Sequence, residues 1–517
     1  MREQDSAQMK GCVLPSGQDH RVLVDTRPTK VVAFAEVPVV VACILLVFDS
    51  AALLFILLIY RYSPMDGLGL FLESASGSVC LFVAVLMAAT PFGLAYHLRR
   101  LTPMCRRQAA LAMAMNFITV AVLVLGGEGT IRLLLKIEAK PRSWTLNIPK
   151  LQSWERISER FRSAIDEHTS KPPYHEYDPM LGWTIGKSRR SSDGIYSSSI
   201  EGLRSPEPGI RLITWSQSVP VGVLAHPKPY RLALMGDSFT FGFEVSYEES
   251  WGHRISAELG NEFHVLNFGT VGYSVNQARL KYEQEVKSTH PDIVVLSVIS
   301  QDFLRDVFIY NFIPAPDFVA LPFARPRPIL RDGRLSTLND PPLLPRAIFD
   351  TVEVHKLPYL EYDMNYSWLA WERQPWFFLE HSVLFRELNY LASEAFGGRQ
   401  AAFDSEVRTL GQAVLEAFNE SVRREGATPI VVYFPDEWEL DSTTPPARHE
   451  LLALHILRDS EIDYLDATAC IKEVPSNRRF LKEGHYSADA NAALAKCLPP
   501  MLLIQLAAER ALPALRR

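Results

Sequence analysis

Ser238 closes a short apolar run, Tyr230-Arg-Leu-Ala-Leu-Met-Gly-Asp-Ser-Phe-Thr-Phe-Gly242. Leu232 to Met235 reads as a buried strand, and Gly236-Asp237-Ser238 breaks it, so the hydroxyl is expected at a strand's carboxyl end. A hydroxyl there becomes a nucleophile when a base takes its proton and donors hold the oxyanion that follows. Taken alone, the tripeptide reads first as a turn with no chemistry. Three more pieces of the chain supply what the serine needs. Lys482-Glu-Gly-His-Tyr-Ser-Ala-Asp489 offers His485 as general base and Glu483 as the group that orients its ring. Asp466 and Asp489 are fallback partners for His485 whose spacing fits less well. Gly269 and Gly272 follow the second expected strand, where a missing side chain lets a backbone N–H approach an oxyanion. Gly272 is the preferred donor, beside the N–H of Ser238. Gln301, in Ser300-Gln-Asp-Phe-Leu-Arg305, adds a side-chain amide as a further donor.

These pieces need a scaffold, and the apolar pattern describes one. Strands are expected at Tyr230–Met235, Phe263–Asn267, Pro291–Ile299, Ile430–Phe434 and Ile462–Leu465. Helices are expected at Glu249–Leu259, Val275–Thr289, Asp404–Glu425 and Arg448–Leu457, with Asp404 as a cap and Gly426 as a stop. The third strand is continuous and β-branched, as a strand covered on both faces should be. Alternation of strand and helix predicts an α/β fold, a three-layer, doubly wound parallel sheet of flavodoxin-like type. Residues 303–403 break the rhythm with proline and aromatics, including Trp368, Trp371, Trp376, Phe377 and Phe378. A structureless loop of that length is improbable, so this is read as an insertion, a lid or small subdomain beside the site. Its aromatic faces suit stacking on sugar rings, though packing of the insertion itself is the stronger reading.

Gly236-Asp-Ser-Phe-Thr-Phe-Gly242 resembles the first sequence block of the SGNH (GDSL-type) hydrolases, and Asn267-Phe-Gly-Thr-Val-Gly272 resembles the second. The third block normally contains Gly-x-Asn-Asp and here reads Ser300-Gln301-Asp302. The fifth normally reads Asp-x-x-His or Asp-x-His and here reads Glu483-Gly484-His485. The resemblance covers roughly 174–506, and Gly202-Leu203-Arg204 is similar to a lead-in of many bacterial members. It implies Ser238 as nucleophile, Gly272 and Gln301 completing the oxyanion hole, and His485 with Glu483 completing a triad. Both Gln301 and Glu483 carry one methylene more than the family's residues.

Composition places this scaffold in a membrane protein. The chain has 517 residues and a net charge of −6, from 53 basic and 59 acidic residues, which does not suit a nucleic-acid partner. Apolar runs at 37–60, 78–95 and 109–127 each approach the roughly 20 residues that cross a hydrocarbon core, so three transmembrane helices are expected. Asp49 lies inside the first run and is expected to face a partner helix. Arg2, Lys10, Arg21, Arg27 and Lys30 precede the first span, and Arg99, Arg100, Arg106 and Arg107 follow the second. Positive charge on those sides puts the N-terminus in the cytoplasm and the chain after the third span outside it. The expected organisation is a cytoplasmic tail (1–36), a three-helix membrane region (37–136), an amphipathic neck along the membrane surface (137–173) and an extracytoplasmic SGNH-like domain (174–510). Of six cysteines only Cys470 and Cys497 fall outside, where a disulfide can form between them. No Cys-x-x-Cys or His-Cys cluster argues for a metal, and no cofactor is expected.

The function expected from these readings is a membrane-anchored serine esterase or O-acyltransferase. It would act on acyl esters, acetyl foremost, of a bacterial cell-surface polysaccharide, outside the cytoplasmic membrane. Partners would be that polymer or a small ester, and other envelope membrane proteins. The alternative is a catalytically degenerate polysaccharide-binding or scaffolding module, for which Gln301 and Glu483 are the evidence.

Overall fold

A computed structural model describes residues 152–167, 172–213, 229–366, 398–441, 452–460 and 462–515, with scattered positions elsewhere. The chain divides into two compact units, Met1–Pro149 with Arg373–Ala395, and Lys150–Glu372 with Phe396–Arg517. In the first unit the predicted spans 37–60 and 78–95 lie outside the described residues. The third, 109–127, is helical at its described positions, where Ile118, Val122, Val124 and Leu125 are exposed.

The second unit opens with helix α1 (Trp154–Glu167), followed by two small antiparallel pairs, β1 (His175–Asp178) with β2 (Gly182–Ile185) and β3 (Ser197–Ser198) with β4 (Arg204–Ser205). The alternating part then runs β5 (Tyr230–Met235), α2 (Ser238–Phe241), α3 (Trp251–Leu259), β6 (Phe263–Asn267), α4 (Val275–Gln284), β7 (Ile293–Val298) and α5 (Ser300–Arg305). The hairpin β8 (Arg327–Arg331) and β9 (Arg334–Leu338) and helix α6 (Pro345–Phe349) belong to the insertion. After it come α7 (Gly398–Arg424), β10 (Thr428–Tyr433), α8 (Glu437–Asp441), α9 (Leu452–Asp459), β11 (Tyr464–Asp466), α10 (Thr468–Lys472) and α11 (Ala488–Leu515).

Five strands pair in parallel in the order β11-β10-β7-β5-β6. The first strand of the series, β5, therefore has the second on one side and the third on the other. That reversal is the switch point at which open α/β sheets form a crevice at their carboxyl edge. Strand alternation sends Ala233, Met235, Val294, Leu296 and Val431 to one face, under α4, α7 and α9. Leu232, Leu234, Val295, Ile430 and Val432 go to the other, under α3, α10 and α11. All six residues of β7 are buried, as its β-branched composition predicts. The predicted strands are all present. Helix Val275–Thr289 instead ends as α-helix at Gln284 and finishes in a 3-10 turn, Val286–Thr289. Asp404 lies inside α7, which starts at Gly398, so it is not the N-cap of that helix.

Among the described residues one helical segment, Ala488–Ala507, is long and apolar enough to cross a membrane. Ala490, Leu494, Leu498 and Leu502 of that segment are buried with the sheet and α3, which accounts for its apolar character as core.

The neck reading changes for 154–167. Trp154, Ile157 and Phe161 of α1 are buried against Ile309, Phe312, Ile348, Phe349 and Trp371 of the insertion, in one apolar cluster. The Phe161 and Phe349 rings stack at 4.4 Å. The apolar face of α1 is thus satisfied by protein, and Trp371 packs inside the insertion rather than presenting a face for a sugar. Phe161→Ala is expected to lower unfolding stability by about 3–5 kcal/mol, read from chemical denaturation of the full chain. A change under about 1 kcal/mol would detach α1 from the domain.

Cys470 of α10 and Cys497 of α11 form a disulfide, with Cα atoms 5.7 Å apart and a sequence separation of 27. Closing a loop of that length removes unfolded-state entropy worth about 3.5 kcal/mol. Cys470→Ser is therefore expected to lower Tm by several degrees in non-reducing buffer, and to make Tm insensitive to reductant.

Candidate active site

Asp237 caps α2, its side chain accepting the N–H of Phe239 at 2.9 Å, and Ser238 is the first residue of that short helix. The serine is buried beyond the end of β5. His485 arrives from the loop before α11, and its Nε2 lies 2.9 Å from Ser238 Oγ. The imidazole sits against Phe239 and Phe243, with ring centroids 5.1 and 5.0 Å away. Ser238 and His485 are thus brought together across 247 positions of sequence.

The carboxylate on the other side of the ring is Glu244. Its Oε2 is 3.0 Å from His485 Nδ1 and accepts the His485 backbone N–H at 3.3 Å. Its Oε1 accepts the backbone N–H of Glu483 at 3.1 Å. This corrects the expectation for Glu483, whose side chain is exposed and makes no hydrogen bond among the described residues. Only its main chain takes part. The reason is local geometry: Gly484 is left-handed (φ +84°), and the tight turn aims the backbone donors of 483 and 485, not the Glu483 side chain, at the ring's partner. The fallback carboxylates are used elsewhere. Asp489 pairs with Arg478, and Asp466 accepts the Thr468 N–H.

A carboxylate on Nδ1 holds the proton there, which leaves Nε2 as the acceptor facing the serine hydroxyl. That is the tautomer a general base requires.

Gly272 lies in the loop after β6 at φ +77°, and a Cβ there would meet Leu321 at 3.1 Å and the Trp183 ring at 3.5 Å. The loop is held from three directions. Trp183 donates Nε1 to Val271 O (3.1 Å) and accepts the Tyr273 hydroxyl on its own carbonyl (2.6 Å). Arg305 donates to Tyr273 O at 3.0 Å. The buried Lys281 ammonium bonds Thr270 Oγ1 at 3.0 Å. Neither the Ser238 nor the Gly272 backbone N–H has an acceptor among the described residues. Gln301 is on the first turn of α5, beyond β7, the strand next to β5. Its side chain is exposed and makes no hydrogen bond among the described residues. The structure therefore gives its amide no fixed place in the site.

Beneath the serine is a charged cluster that spacing alone did not reveal. Arg305 bonds Asp237 Oδ2 at 3.0 Å and Asp302 Oδ1 at 2.6 Å, and Ser238 Oγ is 3.2 Å from Asp237 Oδ2. Burial, then the neighbouring Asp237 charge, pushes the Asp302 carboxyl well above the usual carboxylate range, with Arg305 acting in the opposite direction. The cluster locks the first turn of α5 to the cap of α2.

The arrangement is an α/β sheet with a serine, a histidine and a carboxylate in line at the carboxyl edge of its switch-point strand. It can take a proton from the serine and carry it on the imidazole. No family model matches the chain, and no curated protein matches it. Among solved structures the chain is similar to a putative lipolytic protein of the G-D-S-L family from Desulfitobacterium hafniense, at 14% identity over 52% of this chain and 95% of that one, with a TM-score of 0.26. It is also similar to an acetylxylan esterase from Geobacillus stearothermophilus, at 13% identity over 52% of this chain and 91% of that one, with a TM-score of 0.26. A carbohydrate acetylesterase from Sinorhizobium meliloti gives 12% identity over 53% and 99%, with a TM-score of 0.26. Likeness at that level establishes neither family nor activity.

Proposed function

We propose that the chain is a membrane-anchored serine esterase or O-acyltransferase that works through a Ser238–His485–Glu244 triad and an acyl-enzyme. The observation that carries this reading is the line from Ser238 Oγ through His485 to Glu244, with contacts of 2.9 and 3.0 Å. Ser238 Oγ attacks the ester carbonyl carbon as His485 Nε2 takes its proton. The N–H groups of Ser238 and Gly272 receive the oxyanion, and the exposed Gln301 amide is free to turn toward it. The intermediate collapses as the imidazolium gives its proton to the leaving alkoxide, leaving the acyl group on Ser238. Water or a sugar hydroxyl then attacks that ester as His485 takes the incoming proton, and the second intermediate collapses with the acyl–Oγ bond breaking and His485 returning the proton to Ser238 Oγ.

The proposed substrates are acyl esters, acetyl foremost, of a cell-surface polysaccharide, and the proposed location is the outer side of a bacterial cytoplasmic membrane. Support for the location comes from the three apolar runs and their flanking arginines, and from exposed apolar side chains on the described part of the third run. The disulfide adds to it, since such bonds persist in oxidising compartments. The polymer assignment rests on the sequence resemblance.

The test is p-nitrophenyl acetate hydrolysis by the purified full chain, together with labelling by a fluorophosphonate probe and mapping of the modified residue. Turnover with Ser238 as the labelled residue is the expected result. No turnover and no label on Ser238 would sink the enzyme reading and leave the polysaccharide-binding module.

A further inference from the structure

Glu244 reaches His485 from an unusual backbone position. It is a non-glycine residue at φ +67°, in the left-handed region that L-residues rarely adopt. Such a conformation persists only where the surroundings over-determine it. Here one side chain takes three of the loop's carbonyls. Arg204, on β4, is buried, and its Nη1 donates to the carbonyls of Phe241 and Gly242 while Nη2 donates to that of Val245. The guanidinium lies over the Tyr196 and Phe241 rings, at 5.1 and 4.6 Å. Among the described residues no carboxylate lies within ion-pair distance of it. Burial presses its pKa down to about 10, with Tyr174 and Tyr196 opposing, so it remains a cation at neutral pH. Tyr196 adds an anchor at Glu244 itself, its hydroxyl accepting the Glu244 backbone N–H at 2.9 Å. Gly242 lets the loop close: at φ +78°, a Cβ there would fall 2.7 Å from Arg204 Nη1 and from Ser250 Cβ.

Resting on the triad reading above, we infer that Arg204, with Tyr196, is a positioning residue that holds Glu244 on the His485 ring by clamping the carbonyls of residues 241, 242 and 245. Arg204 touches neither the reacting atoms nor His485, so its effect on the reaction passes through Glu244. Lysine cannot replace it, because one ammonium lacks the planar fork that serves diverging carbonyls from two nitrogens.

The experiment is a double-mutant cycle in the full chain, with Arg204→Lys and Tyr196→Phe made alone and in the Glu244→Gln background. Two quantities are read: kcat and KM on p-nitrophenyl acetate, and the downfield proton NMR resonance of the His485 Nδ1–H, assigned by its loss in Glu244→Gln. Arg204→Lys is expected to lower kcat roughly 10–100-fold at unchanged KM, and to abolish that resonance. In the Glu244→Gln background it should add less than about twofold, because a residue acting through Glu244 has nothing left to act on. Tyr196→Phe removes one hydroxyl, so it keeps the test alive if Arg204→Lys fails to fold. Its expected cost is roughly 3–10-fold, with the same loss of additivity.

A full effect retained in the Glu244→Gln background, or a resonance intact in both single variants, overturns the inference. If the parent hydrolyses nothing and Ser238 takes no label, the esterase reading falls. The resonance then still decides whether Arg204 and Tyr196 hold the Glu244–His485 pair.

Discussion

Glu244→Gln is expected to lower kcat for p-nitrophenyl acetate by roughly 10²–10⁴-fold with KM nearly unchanged, about 3–5 kcal/mol of transition-state stabilisation. Glutamine keeps the size of the side chain and changes only its hydrogen-bonding faces. Three N–H groups converge on the Glu244 carboxylate, from His485 Nδ1 and the backbones of His485 and Glu483. An amide has one oxygen for them, and its NH2 must face a donor or force Nδ1 to become an acceptor. The second outcome puts the ring proton on Nε2, where it points at Ser238 and disables the base. The control is Glu483→Gln. That side chain is exposed, and the contact Glu483 makes is through its backbone, which the substitution leaves in place. Its kcat should stay within about threefold of the parent. If Glu483→Gln were the more damaging of the two, the carboxylate expected from the sequence would be the working one and Glu244 would be packing.

Ser238→Ala should be more severe, reducing kcat by roughly 10⁵–10⁶-fold and abolishing fluorophosphonate labelling, with His485→Ala close behind. Removing both together should cost little more than removing either, since nucleophile and base act as a unit. The fold should tolerate the serine change. Among the described residues its hydroxyl bonds to His485 and Asp237, and losing such bonds costs about 1 kcal/mol each. An unchanged circular dichroism spectrum with Tm within a few degrees of the parent would assign the loss to chemistry. Residual turnover within tenfold of the parent would mean that another group performs the hydrolysis, and no assignment of Ser238 would survive it.

Much of the scaffold was legible in the chain. Ile293 to Val298 carries a run that suits only a strand covered on both faces, and the glycines after β5 and β6 end their strands where the turns occur. The places of Ser238 and His485 in the fold were legible too, because each follows or precedes a regular element whose period marks its end. The choice between Glu483 and Glu244 was not. Proximity in sequence favoured Glu483, two residues from the histidine. Yet a side chain two positions away in a tight turn points wherever the backbone aims it, and here the Gly484 turn presents main-chain N–H groups instead. Glu244, just past the serine's own short helix, reaches His485 only because left-handed backbone and a buried arginine from a distant strand turn it inward. The same holds for α1, whose apolar stripe suited a membrane surface equally well until the insertion's aromatic cluster was seen to cover it. Local pattern determines where strands and helices begin and end, since periodicity is a property of neighbours in the chain. Which buried charge meets which ring is decided by contacts between segments far apart in sequence, and those exist only once the sheet has closed.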